Sequence, residues 1–333
     1  MLLRFTRKKS PRPQRFQRLQ QSQRPQRRKA VGWKWESLEP RHLMASLPLG
    51  AMPDDTAEYM LGKVAVNVVF MESDQSLAPY DVSTEDWTPA HRTETKQKIE
   101  AGLKWWQDML ATQNSVHTND LSFAVDYQYA DKPVRTGYEA INRRSNDFTK
   151  WVYSFFNQVG YNKSGDFSKD SLAYNNALRL SQDADWAFTI FVVNSDNDSD
   201  DQFAEGGSFS RAFSYAGGRF IVVPSGRPAQ TMAHEVGHMF WARDEYHGGG
   251  SYTDKRGYYD TQNLNAQDNP APGFVHQDSI MSSAASMENA YTNYDTDPWA
   301  LAMAGWQDSD RDGIFDVLDV PHRLTGSGSY SSS

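Results

Sequence analysis

The 333-residue chain has no cysteine. That absence removes disulfide frameworks, thiolate-bound zinc, iron–sulfur clusters and thiol nucleophiles together. Long apolar runs are missing as well. None approaches the about 18 residues that a spanning helix needs, so no integral membrane segment is expected. There is no internal repeat. What remains is 38% hydrophobic, with 10 Trp, 16 Tyr and 17 Phe. This is enough apolar material for a sizeable core and excludes wholesale disorder.

Acidic residues are scarce at the start of the chain and abundant afterwards. Residues 1–45 hold 13 Lys/Arg against Glu36 and Glu39, a net +11, while the rest carries 21 basic and 40 acidic residues, a net −19. The head is rich in Gln, Arg and Pro and has no amphipathic period, which predicts a disordered basic leader. The competing reading is an arm for nucleic-acid phosphates. The acidic body offers no continuation of such a surface, so no nucleic-acid partner is expected. Residues 46–60 read as a linker, and residues 321–333, ending GSGSYSSS, as a flexible tail.

Between them the pattern alternates strands and helices. Lys63 to Met71 and Trp186 to Val193 are β-branched and aromatic runs of buried-strand type. Ser122 to Ala130 alternates as a half-buried strand, and Phe220 to Pro224 follows a Gly-Gly turn. Thr88-Pro89 opens a helix whose apolar stripe is Ile99, Leu103, Trp106 and Leu110. A second helix runs from about Asn146 to Val159, with Gly160 as its stop. The order predicts an α+β domain with a mixed sheet and an α/β-like first part, covering residues 61–305.

The segment with the clearest chemistry is Thr231 to His247, which contains His234-Glu235-Val236-Gly237-His238. On a helix, positions i and i+4 share a face, so both imidazoles reach one metal ion. Glu235 lies beside them as a general base for a metal-activated water. Pro228 is positioned to start this helix, and Met232, Val236 and Phe240 form its buried side. A catalytic zinc needs a third protein ligand. Asp244 has the favoured spacing, with Glu245 and then His247 as alternatives.

These residues resemble the metzincin zinc endopeptidases, whose pattern is H-E-x-x-H-x-x-G-x-x-H/D followed by a Met-turn. The resemblance maps to His234, Glu235, His238 and Asp244, with Ile280-Met281-Ser282 as the Met-turn and Met287 as its alternative. It implies a cleft between a twisted mixed sheet and a smaller irregular C-terminal subdomain, with Met281 as an apolar floor. It also implies an edge strand within Gly207 to Phe220 that pairs with extended substrate. The D-E-Y ending resembles bacterial metallopeptidases with H-E-x-G-H followed by D-E-Y. One departure stands out: Trp241 occupies the position of the turning glycine, and a large side chain disfavours positive φ. The helix is therefore expected to run on a residue or two, with Ala242 or Arg243 making the turn.

Two acidic loops remain. Asp308, Asp310, Asp312, Asp316 and Asp319 stand at positions 1, 3, 5, 9 and 12 of a loop with Gly313 at 6 and the Ile314 carbonyl at 7. Residues 306–320 thus resemble a single dockerin-type or thrombospondin type 3 calcium loop. Residues 194–201 (NSDNDSDD) read as a solvated loop, with calcium as the lesser reading. In the head, Glu36 to Ala45 resembles the LEPR-x-L-L sorting segment of planctomycete envelope and secreted proteins, with Met44 for the last Leu.

The expectation is an exported, secreted or envelope-associated monomer. It would act as a zinc endopeptidase on polypeptides, with one catalytic Zn²⁺ and a structural Ca²⁺. The main alternative is a catalytically inactive calcium-binding envelope protein on a peptidase fold. A zinc hydrolase of non-peptide amides fits the same motif.

Overall fold

The computed structural model describes residue 52 and residues 54–319. The basic leader, the sorting segment and the tail lie outside the described residues.

The architecture is mixed α/β, built on one six-stranded sheet. Strand β1 (Gly62–Ser73) is buried without interruption from Val64 to Met71 and feeds both faces of the sheet. Period-two alternation sends Val64, Val66, Val68 and Phe70 to one core and Val69 and Met71 to the other. The following elements are α1 (Pro89–Ala111), β2 (Leu121–Asp126), a single turn α2 (Gln128–Asp131), β3 (Val134–Thr136), α3 (Phe148–Val159) and α4 (Phe167–Ser181). Then come β4 (Trp186–Val193), β5 (Phe213–Tyr215), β6 (Phe220–Pro224) and α5 (Ala229–Met239). The strand order is β2-β1-β4-β6-β5, with β3 also paired to β1. Every pairing in this sheet is parallel except β5 with β6, which makes β5 an antiparallel edge.

Helices α1 and α5 cover one face. The stripe Ile99, Leu103, Trp106 and Leu110 packs with Met232, Val236 and Phe240 over Val66, Phe188 and Ile221. Helix α3 covers the other face with Phe148, Trp151, Phe155 and Phe156. α1 begins as its sequence dictates: the Thr88 hydroxyl accepts from the His91 N–H at 3.1 Å, and Pro89 takes the first turn. α3 ends at Gly160 with φ 77°.

Two elements differ from the sequence reading. The expected strand to Ala130 stops at Asp126, whose carboxylate accepts the Gln128 N–H at 2.8 Å and starts the α2 turn. Helix α4 had no counterpart, because the face it buries is polar: Asp170, Ser171, Asn175 and Arg179. Asn175 donates to the Gly218 carbonyl at 2.8 Å and accepts from Thr189 Oγ1 at 2.7 Å, so the sheet receives it through hydrogen bonds.

After α5 the chain is mostly irregular, with a hairpin of β7 (Lys255–Arg256) and β8 (Thr261–Gln262) and two short helices, α6 (Ala284–Asn293) and α7 (Pro298–Met303). The stretch read as a linker includes Thr56, Ala57, Tyr59 and Met60, all buried. Three indoles hold it there: Trp241, Trp306 and Trp186 each donate Nε1–H at 2.8 Å, to the carbonyls of Ala57, Met60 and Leu61. Among the described residues no helix is long and apolar enough to cross a membrane.

Candidate metal centre

Helix α5 starts at Pro228 and sets His234 and His238 one turn apart. His234 Nδ1 lies 2.8 Å from the Ile280 carbonyl, and His238 Nδ1 lies 2.7 Å from the Ala242 carbonyl. A carbonyl oxygen only accepts, so each Nδ1 carries the hydrogen. In the neutral rings this leaves the Nε2 lone pairs free. Both point at one atom: Asp244 Oδ1 lies 3.1 Å from His234 Nε2 and 3.2 Å from His238 Nε2. That oxygen is buried, with the two imidazole nitrogens as its neighbours.

Three electron-pair donors therefore face one another within 4.8 Å. Either a proton on an imidazole or a cation among the three relieves such an arrangement. Two imidazoles and a carboxylate are a donor set that zinc accepts, and the carbonyls behind the imidazoles fix the ring orientation zinc ligation requires. Without an ion, protonation relieves the crowding. Burial works against a charge on His238, yet the Asp244 carboxylate prevails and lifts it to about 9. Burial would raise the Asp244 carboxyl, and the imidazoles override it and hold it well below the usual carboxylate range.

The turn that delivers Asp244 corrects the expectation for Trp241. The helix does not run on. Trp241 itself adopts φ 74°. Its N–H donates to the His238 carbonyl at 3.1 Å, and the Ala242 N–H to the Gly237 carbonyl at 3.1 Å, the bonding of a glycine-type helix stop. The left-handed backbone is held by the side chain, whose indole N–H is bound to Ala57 and whose ring lies against Gly217.

Met281 is fully buried, and its sulfur lies beneath Gly237, where an added Cβ would come within 2.5 Å of it. Its neighbour Ile280 supplies the carbonyl that orients His234. Met287 sits on α6, only partly buried. Glu245 turns away from the imidazoles. It accepts from Asn265 Nδ2 at 2.7 Å, and its N–H donates to the Met281 carbonyl at 3.1 Å. Burial, and then Asp297 beside it, push its carboxyl well above the usual range. His247 is exposed, with its N–H on the Gln267 side chain at 3.0 Å. Asp244 alone joins the two histidines.

Glu235 is buried next to this cluster and accepts a 2.5 Å hydrogen bond from the Ser214 hydroxyl on β5. Burial pushes its carboxyl up, and His234 and His238 partly offset that. A carboxylate with enhanced proton affinity and one fixed oxygen suits proton transfer. The donors open into a cavity of about 150 Å³ bounded by β5, the Trp241 turn, Tyr246 and Arg256. Burial, with Asp244 and Glu235 nearby, raises the Tyr246 hydroxyl above the usual tyrosine range and keeps it a donor. Ser214 and Arg256 carry no signal in the sequence, since both reach the cleft from elements remote in the chain.

At the C-terminal loop, Asp308, Asp310 and Asp312 converge within 4.8 Å. The loop turns at Gly313 with φ 89°, and the Gly313 N–H donates to Asp308 at 2.9 Å. Two of the expected carboxylates, those of Asp316 and Asp319, are not in that group of three. Asp316 is engaged by the Ser309 N–H and hydroxyl at 2.8 and 2.6 Å and by Gln307 at 2.7 Å. The Ile314 N–H donates to Asp312 at 2.8 Å. In residues 194–201, Asp201 is tied to Ser195 at 2.8 Å and Asn197 to Glu85 at 2.8 Å, and no three carboxylates converge there.

No protein-family model matches the chain, and no curated protein matches its sequence.

Proposed function

We propose that the chain is a zinc-dependent endopeptidase of metzincin-like architecture. One observation carries the reading: His234 Nε2, His238 Nε2 and Asp244 Oδ1 converge on one point, with Glu235 poised beside them. When bound, the ion supplies Lewis-acid stabilisation of a developing oxyanion and makes water more acidic. The rest falls to the protein. Glu235 takes the proton from the attacking water and returns it to the leaving amine, while Ser214 fixes which oxygen does so. Strand β5 ends the sheet beside the cavity, and its outer edge offers backbone pairing to an extended peptide.

A calcium ion at Asp308, Asp310 and Asp312 completes the reading. It would act as a clasp, because the Gly313 carbonyl accepts from the Val116 N–H at 2.9 Å and the Ser115 hydroxyl at 2.8 Å. Export follows from the leader's resemblance, and a lone polypeptide chain is the working unit.

The test is metal analysis of the full chain together with cleavage of a peptide library, wild type beside Glu235→Ala. The expected result is one zinc per chain in both, with cleavage falling at least about 100-fold in the variant. His234→Ala should lose zinc and cleavage together. A chain that binds no zinc would sink the proposal.

A further inference from the structure

We infer that the cleft selects substrates bearing a carboxylate close to the scissile bond, and that Arg256 recognises it. This rests on the peptidase reading and adds its substrate class. Two guanidinium groups line the cavity, Arg243 and Arg256. Arg243 is already neutralised: its Nε lies 2.7 Å from Asp254. Arg256 donates Nη1–H to the Lys255 carbonyl at 2.9 Å and forms no ion pair among the described residues.

Arg256 is also held in place. It lies on β7, paired with Thr261 of β8, and the Lys255–Asp260 pair at 3.6 Å closes the hairpin. Gly257 follows at φ 80°, pressed so closely on α7 that a Cβ would meet the Met303 carbonyl at 2.4 Å. The hairpin therefore keeps its position relative to α7.

Part of the lining is apolar. Phe209 stacks on Phe213 with ring centroids 4.8 Å apart, and Ala212 lies beside them. Once a divalent cation offsets Glu235 and Asp244, Arg256 is the cleft-lining charge without an ion pair among the described residues, Asp254 being paired with Arg243. A guanidinium fork matches a carboxylate with two parallel hydrogen bonds. That carboxylate belongs to a Glu or Asp side chain or to the substrate's own C-terminus.

Three labelled peptides of equal length separate these sources: one with an internal Glu and an amidated end, one neutral with a free C-terminal carboxylate, and one neutral and amidated. Binding to the zinc-loaded full chain is read by fluorescence anisotropy, and cleavage is read alongside. At least one carboxylate peptide should bind about fivefold tighter than the neutral amide. Arg256→Gln should erase the difference, and Arg256→Glu should shift preference to a Lys peptide. Because Arg256 is exposed, these variants should fold as wild type does. Equal binding of all three peptides, or selectivity that survives Arg256→Gln, would overturn the inference. Selective binding without cleavage would instead overturn the peptidase reading and leave carboxylate recognition standing.

Discussion

Trp241 shows what a single side chain can impose on a backbone. A non-glycine residue at φ 74° costs on the order of 1–3 kcal/mol. Here the indole repays it through its bond to Ala57 and its contact with Gly217. Trp241→Gly should relieve the strain yet lose the ring, for a net destabilisation of about 1–3 kcal/mol. Trp241→Ala keeps the strain and loses the ring, so it should be about 1 kcal/mol worse again. Thermal melts giving the order Trp, Gly, Ala would establish this; a glycine variant as stable as wild type would refute it.

Glu139 is a second residue with a measurable signature. It is buried and accepts from the Thr84 and Glu85 N–H groups at 3.1 and 3.3 Å. Burial outweighs those bonds and raises its carboxyl from the usual 4.5 to about 7. The folded state thus holds a proton that the unfolded state releases. Its contribution is fully present below pH 4.5 and lost as pH rises through about 7. Glu139→Gln keeps the acceptor and removes the titration. Melts from about pH 5 to about pH 8 should show a shallower decline than wild type. Some slope should persist, because burial and Asp55 also raise Glu58 to about 7.

At the scale of elements, α5 and the Met281 turn act as one unit. Gly237 is the contact point: an added Cβ would lie 2.5 Å from the Met281 sulfur and 3.2 Å from the Trp106 ring. Gly237→Ala should cost about 1–3 kcal/mol by overpacking. The same displacement moves the Ile280 carbonyl that orients His234, so zinc affinity should fall about 10-fold. A competition titration with a chromophoric chelator would measure it, and unchanged affinity would uncouple the turn from the ligand.

The elements also show what could be read in advance. The α1 cap, the two buried strands and the histidine spacing were legible because each is a local pattern. α4 was not, because its inward face is polar and its partners are backbone groups on other elements. Asp244 and Glu245 are adjacent carboxylates with equal chemistry. What separates them is Asn265 and the Met281 carbonyl, which the fold alone brings to Glu245. Trp241 was misread because the residues that stabilise its turn, Ala57 and Gly217, are far away in the chain.

For the whole molecule, the C-terminal loop is a closure. Phe315 is buried with its ring stacked 6.3 Å from Trp306, and Gly313 is bonded to the stretch after α1. Calcium should therefore raise the melting temperature of the entire domain by mass action, by a few degrees in excess ion. Asp310→Asn should abolish that rise without changing the zinc content. A calcium-independent melting temperature would remove the ion from the loop.

The three indole bonds to residues 57–61 set a limit on how far the chain can be trimmed. Proteolysis upstream of Thr56 leaves every one of those acceptors in place. A cut after Met60 would remove the partners of Trp241 and Trp306 together. The Trp241 turn and the C-terminal closure would then loosen in one event. The short stretch ahead of the first strand is thus a built-in boundary, and chains trimmed on either side of it should differ sharply in resistance to further proteolysis.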